Sequence, residues 1–189
     1  MQRIIVASSN KGKIKEIHEL IGDKFNVVSM KDAGIYLEVE ENGTTFEENA
    51  LIKAKAIYNI CHEPVISDDS GLIVDALGGK PGVHSARYAG NEHNDVANNA
   101  KLLKNLEGVS DRKARFCSVV VYYDGTRTEI AKGFVEGKIA EAPHGDNGFG
   151  YDPLFISDEL SKTFGEATDK EKNAISHRAR ALRALCKLI

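Results

Sequence analysis

Two kinds of apolar pattern alternate along this chain, and their alternation restricts its fold more than any other sequence feature. The run Arg3–Ser8 is typical of a buried strand, and the next segment, Lys11–Ile21, places its large aliphatic residues on one face of a helix. A second strand is predicted over Phe25–Met30, and the turn signal Asp124-Gly125 predicts a hairpin between two later strands. Strands mixed with helices, together with one hairpin, predict an α/β protein whose sheet is not purely parallel.

The remaining elements are predicted from the same periodicities and from turn residues. Thr45 followed by Glu48 fits a capping box at the start of a helix. In chain order, the other expected elements are that helix with core positions from Phe46 to Cys61, a strand over Val65–Val74 interrupted by an acidic turn, a rigid loop at Gly78–Gly82, a helix over Asn94–Leu106, hairpin strands over Arg115–Tyr123 and Thr128–Ile139, a short strand at Leu154–Ile156, and one closing helix with Ile175, Ala179, Leu182, Cys186 and Ile189 on its core side.

Size and composition predict a soluble globular protein of the reducing cytoplasm. The 189 residues suit one domain, 1–189, with two closely packed lobes as the next possibility. No apolar run approaches the roughly 18–20 residues of a membrane span, and Met1–Ala7 lacks the longer apolar stretch of a signal peptide. The three cysteines are odd in number and widely spaced, which favours core thiols over disulfides or zinc ligands. A net charge of −3 argues against a nucleic-acid or membrane partner but allows a local lysine cluster that holds an anionic ligand.

The segment Ser8-Ser9-Asn10-Lys11-Gly12-Lys13 joins the first predicted strand to the first predicted helix. Such a junction directs free backbone N–H groups and the positive end of the helix dipole at a ligand above it. With the polar side chains of Ser8 and Asn10 and the charge of Lys13, it would suit a phosphate, although it is not a Walker A loop. The alternative is an ordinary Asn-capped helix with solvated lysines.

Asp68 and Asp69 directly follow an apolar pair of residues and form the second candidate site. Adjacent carboxylates repel each other and resist burial, so packing explains them poorly. A hard divalent cation would offset both costs, because Mg²⁺ prefers a few carboxylates together with phosphate oxygens. Glu40 and Glu41 could add a ligand; a plain Asp turn and a solvated acidic run are the alternatives.

The segment Gly148-Phe149-Gly150-Tyr151-Asp152-Pro153 places an aromatic ring between two glycines. The glycines would let the ring of a ligand approach Phe149 face-on, and Asp152 could accept a hydrogen bond from a base N–H. The alternative is a loop anchored by buried Phe149 and Tyr151.

Lys172 and the run Ser176-His177-Arg178 place hydrogen-bond donors near the start of the closing helix. Cations oppose the helix dipole at that end, so a ligand that offers acceptors would account for them. The alternative is a set of solvent-facing helix charges.

These motifs, in this order, resemble those of the inosine triphosphate pyrophosphatase family, which removes non-standard purine nucleoside triphosphates. The resemblance spans essentially the whole chain, with two small departures: Ser8 stands where Thr is common, and Ser9 where Gly is frequent. The matching motifs are Ser8-x-Asn10-x-x-Lys13, Thr45-Phe46-x-Glu48-Asn49-Ala50 with Lys53, Ser67-Asp68-Asp69-Ser70-Gly71-Leu72, Gly79-x-Pro81-Gly82, Ser85-Ala86-Arg87-Tyr88, Gly148-Phe149-Gly150-Tyr151-Asp152-Pro153 and Lys172-Asn173-x-x-Ser176-His177-Arg178.

The resemblance implies an α/β homodimer with an elongated mixed sheet, flanking helices and two lobes around a central nucleotide cleft. It also implies hydrolysis of ITP, dITP or XTP between the α- and β-phosphates, with Mg²⁺, to the monophosphate and pyrophosphate. By motif, the substrate would be bound by Ser8, Ser9, Asn10, Lys11, Gly12, Lys13, Lys53, Ser70, Phe149, Gly150, Tyr151, Asp152, Lys172, His177 and Arg178, and the metal by Glu41, Asp68 and Asp69. Asp69 would also be the base that activates water.

The implied chemistry agrees with these residue types. A carboxylate is a weak base at neutral pH unless its surroundings raise its pKa, and the neighbouring Asp68 could do so for Asp69. Hypoxanthine and xanthine present a 6-keto acceptor to donors such as His177 and Arg178, whereas adenine presents a 6-amino donor. The rival interpretations are a related pyrophosphatase of the septum-inhibitor type, a non-catalytic nucleotide sensor, and an α/β domain with solvated charges.

Overall fold

The computed structural model describes residues 1–90 and 93–189, and it arranges six strands of that part of the chain in one sheet. The order across the sheet is β2-β1-β3-β4-β5-β6. Of the helices in those residues, none is both long enough and apolar enough to cross a membrane. The elements are β1 (Arg3–Val6), α1 (Lys11–Ile21), β2 (Asn26–Ser29), α2 (Phe46–Cys61), β3 (Val65–Val74), α3 (Asp95–Asn105), β4 (Lys113–Tyr123), β5 (Thr128–Ile139), β6 (Phe155–Ser157), α4 (Asp169–Ile175) and α5 (His177–Leu185).

The sheet is mixed, which confirms the predicted α/β class. Strand β1 pairs in parallel with both β2 and β3, whereas β5 pairs antiparallel with β6. The parallel pairs need helical crossovers, and α1 and α2 supply them. The capping box at the start of α2 is present in both directions between Thr45 and Glu48.

Two predicted elements were wrong. Strand β3 runs without interruption through Asp68 and Asp69, and lysines from other parts of the chain pair with these carboxylates. The closing helix is two helices, since Ser176 has an extended backbone (φ −62°, ψ 157°) that ends α4 before α5 begins. Two short 3₁₀ segments, Asp75–Leu77 and Gly82–Arg87, flank the predicted rigid loop.

The described residues form two compact units. Unit 1 comprises Met1–Asp69, Ser118–Gly133 and His177–Ile189, and unit 2 comprises Ser70–Cys117 and Phe134–Ser176. The expectation of a single domain over 1–189 with a central nucleotide cleft stays a prediction.

Unit 1 buries both faces of its part of the sheet. Along β1, Ile4 and Val6 belong to a cluster that includes α1 and α5, whereas Ile5 packs with α2 on the opposite face. Successive side chains of a strand point to opposite faces, so an unbroken apolar run is the pattern that such a strand requires.

Unit 2 has its own apolar core. Leu102 and Leu106 at the end of α3 pack against strand residues and against an aromatic cluster. In that cluster the ring centroid of Phe155 lies 4.6 Å from that of Phe116 and 5.2 Å from that of Phe164. This core supports the segment that carries Phe149, because Tyr151 is itself part of it.

Candidate functional site

The start of α1 has the geometry of an anion site. Asn10 caps the helix by accepting the Lys13 N–H at 3.0 Å, and the Ser8 hydroxyl accepts the Asn10 N–H at 3.2 Å. The first turn carries no acidic residue that would offset the positive end of the helix dipole. The φ angle of Ser9 is not in the left-handed region, so a serine is accommodated without backbone strain at this position, where glycine is frequent in the family that the motifs resemble. Both Asn capping and a phosphate site are compatible with this turn.

Two half-buried lysines converge on Asp68 and Asp69. Lys13 Nζ lies 2.8 Å from Asp68 Oδ2, with the lysine side chain 15% exposed. Lys53 Nζ donates to the Asp68 carbonyl at 2.9 Å and lies 3.5 Å from Asp69 Oδ1. The same ammonium is 3.3 Å from Glu41 Oε1, so it lies within ion-pair distance of two carboxylates. The two lysines and the carboxylates of Glu41, Asp68 and Asp69 therefore form one ionic cluster where strand β3 passes.

Asp68 is fully buried and serves as the hub of an ionic network. It accepts a hydrogen bond from the Ser118 hydroxyl through Oδ1, and from Arg178 Nη2 at 3.2 Å through Oδ2. Arg178 also pairs with Glu16 through Nη1. Burial opposes ionisation of Asp68, but Arg178, Lys13 and the hydrogen bond from Ser118 outweigh it and hold its pKa well below the usual range. Asp68 is therefore an anion at neutral pH.

Asp69 differs from its neighbour in its environment. Burial is the largest influence on the pKa of Asp69 and raises it. The charges of Lys53 and Lys13 lower this pKa and those of Glu41 and Asp68 raise it, and the net result is an increase. Its Oδ2 atom is buried and accepts no hydrogen bond within the described residues. The neighbouring Asp68, expected from the sequence to be the cause of a raised pKa, is the smallest of these influences. A buried carboxylate with a raised pKa and an available oxygen suits a general base.

The predicted metal ligands fit a cation unequally. Among residues 1–90 and 93–189, no group of three or more His, Cys, Asp or Glu side chains is spaced to hold a metal ion. Asp68 already binds Lys13 and Arg178 through its carboxylate, so it does not fit. Glu41 and the buried Oδ2 of Asp69 do fit a hard cation that takes its other ligands from phosphate and water. The magnesium site stays a prediction.

In unit 2 an ion pair between Lys172 and Asp152 anchors the loop that carries Phe149, which comprises residues 148–153. Asp152 Oδ2 accepts the Phe149 N–H at 2.9 Å and the Lys172 ammonium at 2.6 Å. Lys172 Nζ also lies 4.9 Å from the centre of the Phe149 ring. Gly148 has a φ of 75°, and a Cβ atom at that position would overlap the Asp152 carboxylate. Phe149 is only half-buried, so the alternative of a ring buried as an anchor does not describe it, whereas Tyr151 is buried.

The run Ser176-His177-Arg178 is buried, so the alternative of solvent-facing charges was wrong. His177 and Arg178 are the first residues of α5 and belong to unit 1. Sequence reasoning placed Arg178 at the edge of a base, whereas in this structure its guanidinium binds Glu16 and Asp68. Reading of a base by Arg178 stays a prediction.

The two units divide the predicted residues between them. Unit 1 holds Ser8, Ser9, Asn10, Lys11, Gly12, Lys13, Glu41, Lys53, Asp68, Asp69, His177 and Arg178, and unit 2 holds Ser70, Phe149, Gly150, Tyr151, Asp152 and Lys172.

Sequence reasoning missed Glu16 and Ser118. Glu16 lies on the same helix as Lys13 and is buried beside Ile17, which is a position where a carboxylate needs a cation. That mismatch of residue type and helix face was a readable signal. Ser118 lies in an apolar strand, and nothing local marks it as a partner of Asp68.

Comparisons with known proteins agree along the whole chain. The model of the Ham1 family matches residues 4–188. The dITP/XTP pyrophosphatase of Bacillus subtilis (strain 168) is 49% identical over 193 residues, which cover 100% of this chain and 98% of that protein. The dITP/XTP pyrophosphatase of Listeria monocytogenes serotype 4b is 52% identical, covering 98% of this chain and 93% of that protein. The HAM1 protein from Coxiella burnetii is 40% identical with a TM-score of 0.89, covering 100% of this chain and 98% of that chain. The Staphylococcus aureus Ham1 protein is 41% identical with a TM-score of 0.88, covering 99% and 97%.

Proposed function

The chain belongs to the Ham1 family, and from that premise we propose that it hydrolyses dITP, ITP and XTP between the α- and β-phosphates to the monophosphate and pyrophosphate. The substrate class is supported by relatives about half identical over their full length that are named dITP/XTP pyrophosphatase. The observation that carries the reaction type is Asp69, a buried carboxylate with a raised pKa beside two lysines.

Unit 1 would bind the triphosphate. A nucleoside triphosphate brings about four negative charges, so its hydrolysis depends chiefly on positioning and charge neutralisation. Lys13 and Lys53 supply two ammonium groups, and the start of α1 from Ser8 to Lys13 supplies backbone N–H groups. As the bond to the α-phosphorus breaks, the same cations would stabilise the charge that develops on the departing pyrophosphate.

Asp69 would activate the attacking water. The Asp69 carboxylate has two oxygens, and the one that does not ligate the metal would accept a proton from the water while the water oxygen bonds to the α-phosphorus and pyrophosphate leaves. Asp68 is poorly suited to this role, because its lowered pKa makes it a weaker base and both of its oxygens already bind Lys13, Arg178 or Ser118. Mg²⁺, when bound, would be held by Glu41 and Asp69 and would neutralise phosphate charge.

Unit 2 would bind the purine. Phe149 offers a half-buried ring for stacking, and the Lys172–Asp152 ion pair lies beside that ring. The Lys172 ammonium would donate a hydrogen bond to the 6-keto oxygen of the base. The 6-amino group of adenine is itself a donor and could not accept that bond. His177 and Arg178 are the other proposed donors to the base.

We propose further that the enzyme is a homodimer, as the family resemblance implies. We also propose that it is cytoplasmic and has no nucleic-acid or membrane partner, as its composition and its net charge of −3 predict. Sedimentation equilibrium over a range of protein concentrations would measure the mass. A mass equal to one chain at every concentration would contradict the dimer.

Product analysis tests the proposed function. The chain is incubated with ITP, dITP, XTP, ATP and GTP, with Mg²⁺ or with EDTA, and pyrophosphate is distinguished from orthophosphate. We expect pyrophosphate and monophosphate from ITP, dITP and XTP only, and only with Mg²⁺. Release of orthophosphate would mean cleavage at the γ-position and would refute the proposal, and binding without turnover would make the protein a nucleotide sensor.

A further inference from the structure

We propose that Asp95 and Asn99 of α3 are positioning residues that hold Gly150 at both ends of its backbone and thereby fix the Phe149 ring. Asp95 Oδ2 accepts the Gly150 N–H at 2.8 Å. Asn99 Nδ2 donates to the Gly150 carbonyl at 3.0 Å. The two side chains are four residues apart and so lie on one face of the helix. The inference rests on the proposed function in one respect, namely that Phe149 stacks on the base.

The loop needs such restraint because of its backbone. Gly150 has a φ of 62° and Gly148 a φ of 75°, so Phe149 lies between two residues in left-handed conformations. Glycine has the most conformational freedom to lose on ordering, and a ring flanked by two glycines would otherwise be mobile. A ring held in its binding position before the ligand arrives loses less entropy on binding.

Each residue from Phe149 to Tyr151 has a separate restraint. On the N-terminal side, Asp152 accepts the Phe149 N–H. On the C-terminal side, the Tyr151 hydroxyl donates to the Ser85 carbonyl at 2.6 Å. Gly150, which has no side chain, is held only through its backbone, and α3 supplies both partners. The clamp formed by Asp95 and Asn99 therefore completes the immobilisation of the loop.

Asn99 also has a feature that packing does not explain. Its Oδ1 atom is buried and accepts no hydrogen bond within the described residues. A buried, unsatisfied amide oxygen is a cost that an aliphatic residue would avoid. The value of an amide at this position therefore lies in its Nδ2 group, which holds Gly150.

Helix α3 provides matched controls. Asn105 Nδ2 donates at 2.6 Å to the Tyr88 hydroxyl, which is outside the loop. Asn94 caps the helix by accepting the Ala97 N–H at 3.0 Å. Asn105→Ala therefore removes a comparable side-chain hydrogen bond and leaves the partners of Gly150 in place. Asn94→Ala weakens the same helix without removing the side chains of Asp95 and Asn99.

The test combines kinetics with hydrogen–deuterium exchange of the segment 145–152. For Asn99→Ala and Asp95→Ala we expect the KM for ITP to rise about two- to tenfold, as for the loss of one net hydrogen bond, with kcat changed less than twofold. Asp95→Asn, in contrast to Asp95→Ala, should keep the wild-type KM, because its amide oxygen still accepts the Gly150 N–H. Inorganic triphosphate, which lacks a base, should inhibit the wild type and both alanine variants with equal Ki values.

Exchange of the segment 145–152 does not depend on turnover, so it separates this inference from the proposed function. Faster exchange in Asn99→Ala and Asp95→Ala than in Asn105→Ala and Asn94→Ala supports the clamp, even if the chain hydrolyses no nucleotide. Exchange equal to that of the controls overturns it. If ITP is hydrolysed and the clamp variants keep the wild-type KM, the clamp has no part in base binding, and the inference is overturned in that respect. Phe149→Ala with an unchanged KM would instead refute the stacking on which the inference rests.

Discussion

Replacement of Arg178 by alanine is expected to destabilise the protein strongly and in a pH-dependent way. Arg178 is buried and binds two carboxylates, those of Glu16 and Asp68. Removal of one partner from a buried ion pair costs about 3–5 kcal/mol, because a desolvated charge is left behind. Asp68 retains Lys13 and Ser118, so we expect about 3 kcal/mol, the lower end of that range. For a chain of this length, that corresponds to a fall in Tm of about 6–12 °C.

The sign of the pH dependence follows from Asp68. Its pKa is lowered in the folded state, so its ionisation stabilises the fold above the unfolded pKa of about 3.9, and that contribution is lost as the pH falls through the folded pKa. Burial raises the pKa of Asp68 and the neighbouring positive charges lower it, so the loss of Arg178 makes this pKa rise in the folded state. The carboxylate of the variant then protonates at a higher pH than that of the wild type. The deficit in stability should therefore be full near pH 7 and smaller near pH 4.

Urea denaturation in EDTA-containing buffer at both pH values measures the deficit. Arg183→Ala is the matched control, because Arg183 is exposed on the same helix, and it should change the free energy of unfolding by less than about 0.5 kcal/mol. A deficit below 1 kcal/mol for Arg178→Ala at pH 7, or one that is equal at the two pH values, would refute the network as described.

Three further expectations concern catalysis. Asp69→Asn should lower kcat by about 10²–10⁴-fold while Mg-nucleotide binding remains measurable by calorimetry; retained turnover would exclude Asp69 as the base. Phe149→Ala should weaken nucleotide binding by about 1–3 kcal/mol in the same calorimetric assay, and an unchanged Kd would exclude stacking. Lys53→Met removes the charge that lowers the pKa of Asp69 most, so that pKa should rise further. The acidic limb of the kcat/KM profile should then move to higher pH, and a move to lower pH would contradict the assignment of Asp69 as the base.

Local signals predicted the parts of the fold whose causes are local. The bounds of α1 follow from Asn10 and the spacing of its aliphatic residues, and Thr45 with Glu48 marks the start of α2. The break at Ser176 has no such signal, since neither proline nor glycine is present there. The residues that follow the break, His177 and Arg178, are buried in unit 1, so their positions depend on tertiary contacts that the local sequence does not show.

The same division applies to the candidate site. The residue types at Asp68 and Asp69 predicted an unusual carboxylate pair, but not which of the two would be the base. The environments of the two residues differ because Arg178, more than a hundred residues away in the chain, binds Asp68. Asp69 is left with an oxygen that no described residue approaches for a hydrogen bond. Sequence spacing alone cannot separate two adjacent residues whose partners come from distant segments.

The network around Asp68 also restricts how this sequence can change over evolutionary time. Glu16 and Asp68 carry two negative charges, and Lys13 and Arg178 carry two positive charges, so the buried group is electrically balanced. A substitution that changes the charge of any one of the four would leave a net charge in the interior. Drift at these positions should therefore require a second, compensating substitution within the same quartet, and Lys13 is the least free to provide it, because it would also bind the triphosphate.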